Sequence, residues 1–373
     1  MTNSEFSSVL VVGPGLNGLG GVANYYSTVY PRLSRSGVSP HYLEIGHAKA
    51  AWKYLHPFAD QVRFGRALTR IDPDLVHINP SLNLKSVLRD GMFIVQAHRR
   101  GYRTMVFFRG WDEIFERRIS GAWRRQFLRV YGEADAFIVL ANGFREKLRS
   151  WGIKAPIYSA TTAVPDELLE GFSLDAKLKM AESENCLKVL YLGRLEREKG
   201  VIETIEAVID LARQGMKVSV TVAGDGIEMA SVRALHSSDE FTKNIVNIAG
   251  YVRGDKKREL LSTHHVYSFP SIYGEGMPNA LLEAMAFGMP VITCPVGGIP
   301  DFFEQAKMGY LIENPDINRI KNCLRDLYEN KALAQEVARY NHEFARKNFM
   351  ASSVADHLCE LYQKTIQPRP VQQ

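Results

Sequence analysis

The sequence predicts an α/β protein made of two successive parallel-sheet units. Three observations predict it. Short apolar runs alternate with amphipathic stretches along most of the chain. A charged segment with no clear strand, 166–185, interrupts that series near the middle. The length, 373 residues, exceeds one ordinary domain and suits two.

The first series reads as strands at Val9–Gly13, His41–Gly46, Asp74–Asn79, Thr104–Gly110 and Ala136–Ala141. Helical stretches separate them, as at Gly21–Arg35 and Leu84–Arg100, and Gly and Pro punctuate the junctions. The segment 166–185 (DELLEGFSLDAKLKMAESEN) is read as an inter-domain linker. The second series follows as LKVLYLG, KVSVTVAG, NIVNIAG, VYSFPS, PVITCP and GYLIEN, each with a helix or turn after it. Beyond Asp316 the pattern is wholly helical. Each half is expected to be Rossmann-like, its strand C-termini facing a shared cleft.

Composition narrows the class. Apolar residues make up 46% and charged residues 23%, as in globular proteins. No run of eighteen apolar residues implies a membrane span. The N-terminus MTNSEFSSVLVV has neither a basic region nor a cleavage site, so a cytoplasmic location is expected. Cys186, Cys294, Cys323 and Cys359 form no CxxC pair, which argues against a zinc site or a disulfide framework. The net charge of +5 is uneven. Residues 1–175 hold 22 Lys and Arg against 16 Asp and Glu, and the excess is concentrated between Arg99 and Arg129 among aromatics. This is either a solvated basic face or a patch for an anionic membrane or acceptor. No nucleic-acid motif accompanies it.

Three blocks carry chemistry. In Ser271–Ile292 (SIYGEGMPNALLEAMAFGMPVI) a strand ends, a glycine-flanked loop carries Glu275, and a helix starts near Met277–Pro278. Proline suits a first helical turn, and the unpaired N–H groups there favour an anion such as a diphosphate. Glu283 sits in that helix among apolar neighbours on every side. A buried carboxylate requires a polar partner: ribose hydroxyls, or a nearby arginine or backbone group. In YLGRLEREKG, Arg194 and Lys199 follow a strand that ends at Gly193, where two cations beside a helix start neutralise a pyrophosphate. Read alone, that run is equally a solvated turn. In GPGLNGLGG, Gly13, Gly15 and Gly18 match the dinucleotide fingerprint, with Glu44 as a candidate ribose acid. The loop runs on to Gly20 and Gly21, so the helix begins later than that fingerprint expects.

Smaller signals are weighed the same way. The turn Ala223–Gly226 is either ordinary or a close approach to a base. Asp72-Pro73-Asp74 precedes its strand and reads as a turn rather than a metal motif. His264 and His265 enter a strand and read as structural.

Taken together, the blocks resemble family 4 retaining glycosyltransferases of the GT-B fold, of bacterial surface-polysaccharide type. GR-x4-KG at Gly193–Gly200 and E-x7-E at Glu275–Glu283, then EAMAFGMPVI and VGGIP, stand in the family's order. The resemblance implies Arg194 and Lys199 on a donor diphosphate, Glu283 on the ribose and Glu275 on the transferred sugar. It places donor contacts at Gly21, Gly193, Gly224, Tyr251, Val252, Gly276, Met277, Pro278, Asn279, Leu282 and Glu283. It implies an acceptor domain over 1–165, a donor domain over 186–349, and a last helix within 350–373 that crosses back to the first domain. The sequence departs from the family at FFRGWDE, where Arg109 takes the place of a histidine and joins Arg194, Lys199 and Glu275 as a catalytic candidate. Arginine cannot serve as a base, but it binds a hydroxyl, a phosphate or an acid.

The expected reaction moves a hexose-type sugar from a UDP- or GDP-sugar to a hydroxyl of a glycan or lipid-linked acceptor. It retains configuration and needs no metal or cofactor, since the cations do that work. The expected partners are the nucleotide-sugar, the acceptor and an anionic membrane at the inner face of the plasma membrane, without nucleic acid. The alternatives are an NAD-dependent oxidoreductase using the N-terminal glycines, a nucleotide-sugar epimerase or phosphorylase of similar shape, and a non-catalytic sugar-binding protein.

Overall fold

The structure, a computed structural model, describes residues 7–18, 20–34, 37–46, 56–274 and 276–367. They form two compact units, one from residues 1–163 with 351–373 and one from 164–350.

In the first unit the apolar runs become parallel strands. In chain order these are β1 (Ser7–Pro14), β2 (Val38–Ile45), β3 (Leu75–Ile78), β4 (Ser81–Leu82), β5 (Arg103–Phe107), β6 (Gly110–Trp111), β7 (Ala136–Val139) and β8 (Ile157–Ser159). Of these, β1, β3, β5 and β7 are the most buried. The helices are α1 (Gly21–Leu33), α2 (His56–Ile71), α3 (Leu84–His98), α4 (Glu113–Ser120), α5 (Arg124–Tyr131) and α6 (Asn142–Trp151). The main sheet runs β2-β1-β3-β5-β7-β8, all parallel, and β4 pairs with β6 alone. Strand order reverses between β1 and β3, and in such sheets ligands bind beyond the strand C-termini at that point.

The second unit has α7 (Leu174–Ser183), β9 (Leu187–Leu192), α8 (Val201–Arg213), β10 (Val218–Ala223), α9 (Met229–His236), α10 (Glu240–Ile245) and β11 (Val246–Gly250). It continues with α11 (Gly254–Thr263), β12 (Val266–Phe269), α12 (Asn279–Ala286), β13 (Val291–Thr293), β14 (Gly309–Leu311), α13 (Ile317–Glu329) and α14 (Lys331–Asn348). Its sheet runs β11-β10-β9-β12-β13-β14, again parallel. This is the Rossmann order, with the reversal between β9 and β12.

The last helix, α15 (Ala351–Ile366), belongs to the first unit. Val354, Ala355, Leu358, Leu361 and Tyr362 repeat at helical spacing, and all are buried where α15 meets α1, β3 and β5. The Tyr362 hydroxyl shares a 2.6 Å hydrogen bond with Nδ1 of His77. Burial, with the nearby Arg109 charge, lowers the His77 imidazole to about 3, so it is held neutral.

Residues 166–185 are not a free linker. They form a 3-10 turn (Asp166–Leu169) and α7, and both belong to the second unit. The charged sequence hid an anchor. Lys177 is buried, and its Nζ donates to the carbonyls of Leu261 and Phe287, each at 2.9 Å. Those carbonyls lie near the C-terminal ends of α11 and α12, where unpaired acceptors favour a donor.

Burial lowers the Lys177 ammonium from 10.5 to about 7. Between those values the unfolded chain keeps a proton that the folded chain has released, so stability rises as pH increases from about 7 towards 10. Denaturant titrations at pH 7.0 and 9.5, each run on the wild type and on Lys177→Met, should show that rise in the wild type alone.

Candidate functional site

The second unit gathers polar groups at its strand reversal. Strand β9 ends at Leu192 and leads into a loop fastened on both sides. The Leu195 amide donates to the Asp225 carbonyl at 2.9 Å, and the Ile272 amide donates to the Glu198 carbonyl at 2.8 Å. The loops after β9, β10 and β12 therefore hold one another. Gly193 is required by packing, because a Cβ there would stand 2.9 Å from the Phe269 ring. Gly224 has φ +150°, and a Cβ on it would meet the Gly193 carbonyl oxygen at 1.8 Å. Its amide donates to the Gly250 carbonyl at 2.7 Å, so at Gly224 neither the amide nor the side-chain position is open to a ligand.

Arg194 and Lys199 converge on one aromatic ring. The Arg194 guanidinium lies 5.8 Å from the centre of the Tyr273 ring, and Lys199 Nζ lies 4.7 Å from it and 5.6 Å from that of Phe269. Their exposures differ sharply. Arg194 is 61% exposed and paired with Glu196 at 2.6 Å, whereas Lys199 is 2% exposed. A buried ammonium and an exposed guanidinium thus present positive charge from two depths.

Helix α12 starts at Asn279, with Pro278 as its cap and, among the described residues, no side chain satisfying its first amides. Asn279 Oδ1 is buried with no hydrogen-bond partner among the described residues. Gly276 is fixed through its carbonyl, which accepts from the Gly298 amide at 2.8 Å. Met277 is half-buried at the same turn. Leu282 is fully buried in the core, so only its backbone is available to a ligand. Tyr251 is exposed and Val252 buried, on the turn after β11. Glu275 lies outside the described residues.

Glu283 is buried as expected, but protein satisfies it. Lys257 of α11 reaches its Oε1 at 2.7 Å. Of the partners expected for this carboxylate, ribose hydroxyls or a nearby arginine or backbone group, the structure supplies a protein partner, and it is a lysine. Lys257 escaped notice in the sequence because GDKKREL reads as a solvated helix start. Its neighbour across the packed helices was not visible.

The first unit contributes Arg109, just beyond β5. Its guanidinium lies 3.9 Å from the Tyr25 ring centre and 4.5 Å from that of Phe107. Its Nε and Nη1 are sealed from solvent with no hydrogen-bond partner among the described residues, and so is the Tyr25 hydroxyl. Burial lowers the Arg109 guanidinium from its ordinary value and raises Tyr25 to about 12. Gly21 opens α1, with clear space where a Cβ would stand.

Comparison with known proteins matches both units. Residues 8–158 fit the glycosyl transferase 4-like domain, and residues 175–344 fit the glycosyl transferases group 1 family. The chain belongs to the family 4-like glycosyltransferases. It is 25% identical over 263 residues to the amylovoran biosynthesis glycosyltransferase AmsK of Erwinia amylovora, covering 69% of this chain and 61% of that protein. It is 26% identical over 298 residues to the putative teichuronic acid biosynthesis glycosyltransferase TuaC of Bacillus subtilis, covering 78% and 66%. The chain thus spans about half to two thirds of the curated relatives it matches. The fold is shared with Anabaena HepE, solved with UDP and glucose, at TM-score 0.67 and 16% identity over 95% of this chain and 99% of that one.

In this member of the family the N-terminal glycine loop differs from a dinucleotide fingerprint. Helix α1 begins only at Gly21, and Glu44 Oε1 accepts from the Leu16 amide at 3.2 Å, tying the loop down. The oxidoreductase alternative is not supported. Asp74 accepts from the Ser8 amide and Asp72 from the Tyr102 hydroxyl, so that pair is a structural turn. Among the described residues, no group of three or more His, Cys, Asp or Glu is placed to hold a metal ion, and no helix is long and apolar enough to cross a membrane.

Removing Lys257 strands a buried charge. Lys257→Met should lower the unfolding free energy by about 1–3 kcal/mol, and adding Glu283→Gln should restore much of the loss. A double-mutant cycle by chemical denaturation reads this directly.

Proposed function

We propose that the chain transfers a hexose-type sugar from a nucleotide-sugar to a hydroxyl of a glycan or lipid-linked acceptor in surface-polysaccharide synthesis, with retention and without a metal ion. The observation that carries this is the convergence of Arg194 and Lys199 on Tyr273 at the strand reversal of the second sheet. The HepE complex with UDP and glucose supports a UDP-sugar class of donor. The names of AmsK and TuaC support a polysaccharide product.

The bond that breaks joins the anomeric carbon to a phosphate oxygen, and its electron pair leaves with the nucleoside diphosphate. Negative charge grows on that oxygen. Arg194, Lys199 and the open amides of α12 are the groups offered to it, and Glu275 contacts the sugar. Preorganised groups of this kind contribute about 3 kcal/mol each. The acceptor hydroxyl attacks from the face that the diphosphate leaves, and a phosphate oxygen takes its proton. Lys257 steadies Glu283 so that one carboxylate serves both helix packing and the ribose. Arg109 binds rather than takes protons, and its unpaired N–H groups suit a hydroxyl, phosphate or carboxylate of substrate. The acceptor is held at the inner face of the plasma membrane.

Arg194→Ala and Lys199→Met should each lower kcat/KM about 100-fold or more. Arg194→Ala should leave the melting temperature near wild type, because its guanidinium is largely exposed. Near-normal turnover in either variant overturns the assignment. Turnover should also be unchanged in excess chelator, and restoration by added divalent ions would count against a metal-free reaction.

A further inference from the structure

Among the described residues, the first unit places its large exposed apolar side chains on or beside four neighbouring helices. Thirteen such side chains are exposed among the described residues, and seven of them lie on or beside α2–α5; the other six are in the second unit. Leu84, Leu88 and Met92 are spaced four apart and form one stripe along α3, with Leu88 55% and Met92 47% exposed. Phe58 and Val62 do the same on α2. A scattered exposed leucine is ordinary, but a contiguous patch marks an interaction surface.

Beside the stripe is a cavity of about 530 Å³, walled by Leu88, Met92, Val95, Ile119, Trp123 and Val130. Charge surrounds it. Residues 56–131 hold 14 Lys and Arg against 7 Asp and Glu, more than the whole chain's net +5. Arg99 lines the cavity, and Arg117, Arg118, Arg125 and Arg129 are exposed on the helices that wall it. None of these five has an ion-pair partner among the described residues.

Hydrocarbon-lined space with unpaired arginines around it selects an amphiphile with an anionic head. A nucleic acid would use the arginines and leave Leu88 and Met92 in water. An apolar protein partner would leave the arginines unneutralised. We propose that this face of the first unit docks on a bilayer of anionic phospholipid, with one hydrocarbon chain entering the α3–α5 cavity. The inference rests on the reading that the acceptor is held at a membrane, and it gives that contact its place.

The test uses the full chain with vesicles of phosphatidylglycerol or phosphatidylcholine. The protein should sediment with the first and not the second, and 0.5 M salt should weaken binding at least tenfold. Trp123 fluorescence should be quenched when the phosphatidylglycerol carries bromine on its acyl chains, and Trp123→Phe should lose that quenching. The double variant L88D/M92D should bind at least tenfold more weakly while keeping its melting temperature. Val95→Phe, which narrows the cavity without adding a tryptophan, should still adsorb but lose acyl-chain quenching. Adsorption without quenching in the wild type would overturn chain entry. Equal binding to both lipids, or to neither, would overturn the docking surface. UDP binding by calorimetry separates the two readings. Vesicle binding without UDP binding sinks the transferase reading alone, and UDP binding without vesicle binding sinks this inference alone.

Discussion

The site depends on keeping one ammonium group out of water. Lys199 is 2% exposed and sits over the rings of Tyr273 and Phe269. A buried cation is costly unless its surroundings are arranged for it. Three strand-end loops do the arranging. The loop after β9 bonds to the loops after β10 and β12, Gly193 makes room for Phe269, and Gly224 lets two backbones meet. Rigidity of this kind holds charge in place before a substrate arrives, which is what electrostatic catalysis requires.

Much of this was legible in the residues. The alternation of apolar runs and amphipathic stretches located the principal strands of both sheets, and the GR-x4-KG run located the two cations. Strands β4, β6 and β8 were not read, because two or three residues carry no period. The stretch 166–185 was misread because its charges mask one buried residue, Lys177, whose partners are far along the chain. Glu283 was rightly placed inside, but its partner was hidden, since Lys257 meets it only once two helices pack. Local pattern reports burial well and reports long-range pairing poorly.

The two units treat positive charge in opposite ways. In the second, Arg194 has Glu196 and Glu283 has Lys257, so these charges are answered within the protein. In the first, Arg109 is packed against Tyr25 and Phe107 with two nitrogens unanswered, and the arginines of α4 and α5 stand largely without acids. Unanswered donors in a native fold call for an explanation. The proposed substrate would answer the first, and the proposed anionic bilayer the second.

The placement of α15 has a consequence in time. The second unit is an insertion in the first, because α15 returns to α1, β3 and β5 after all of 164–350 has been made. The earliest strands leave the ribosome with one face waiting for the last helix. His77 waits for Tyr362, 285 positions downstream. The half synthesised first is therefore completed last, and throughout that interval its apolar face lacks the helix that covers it.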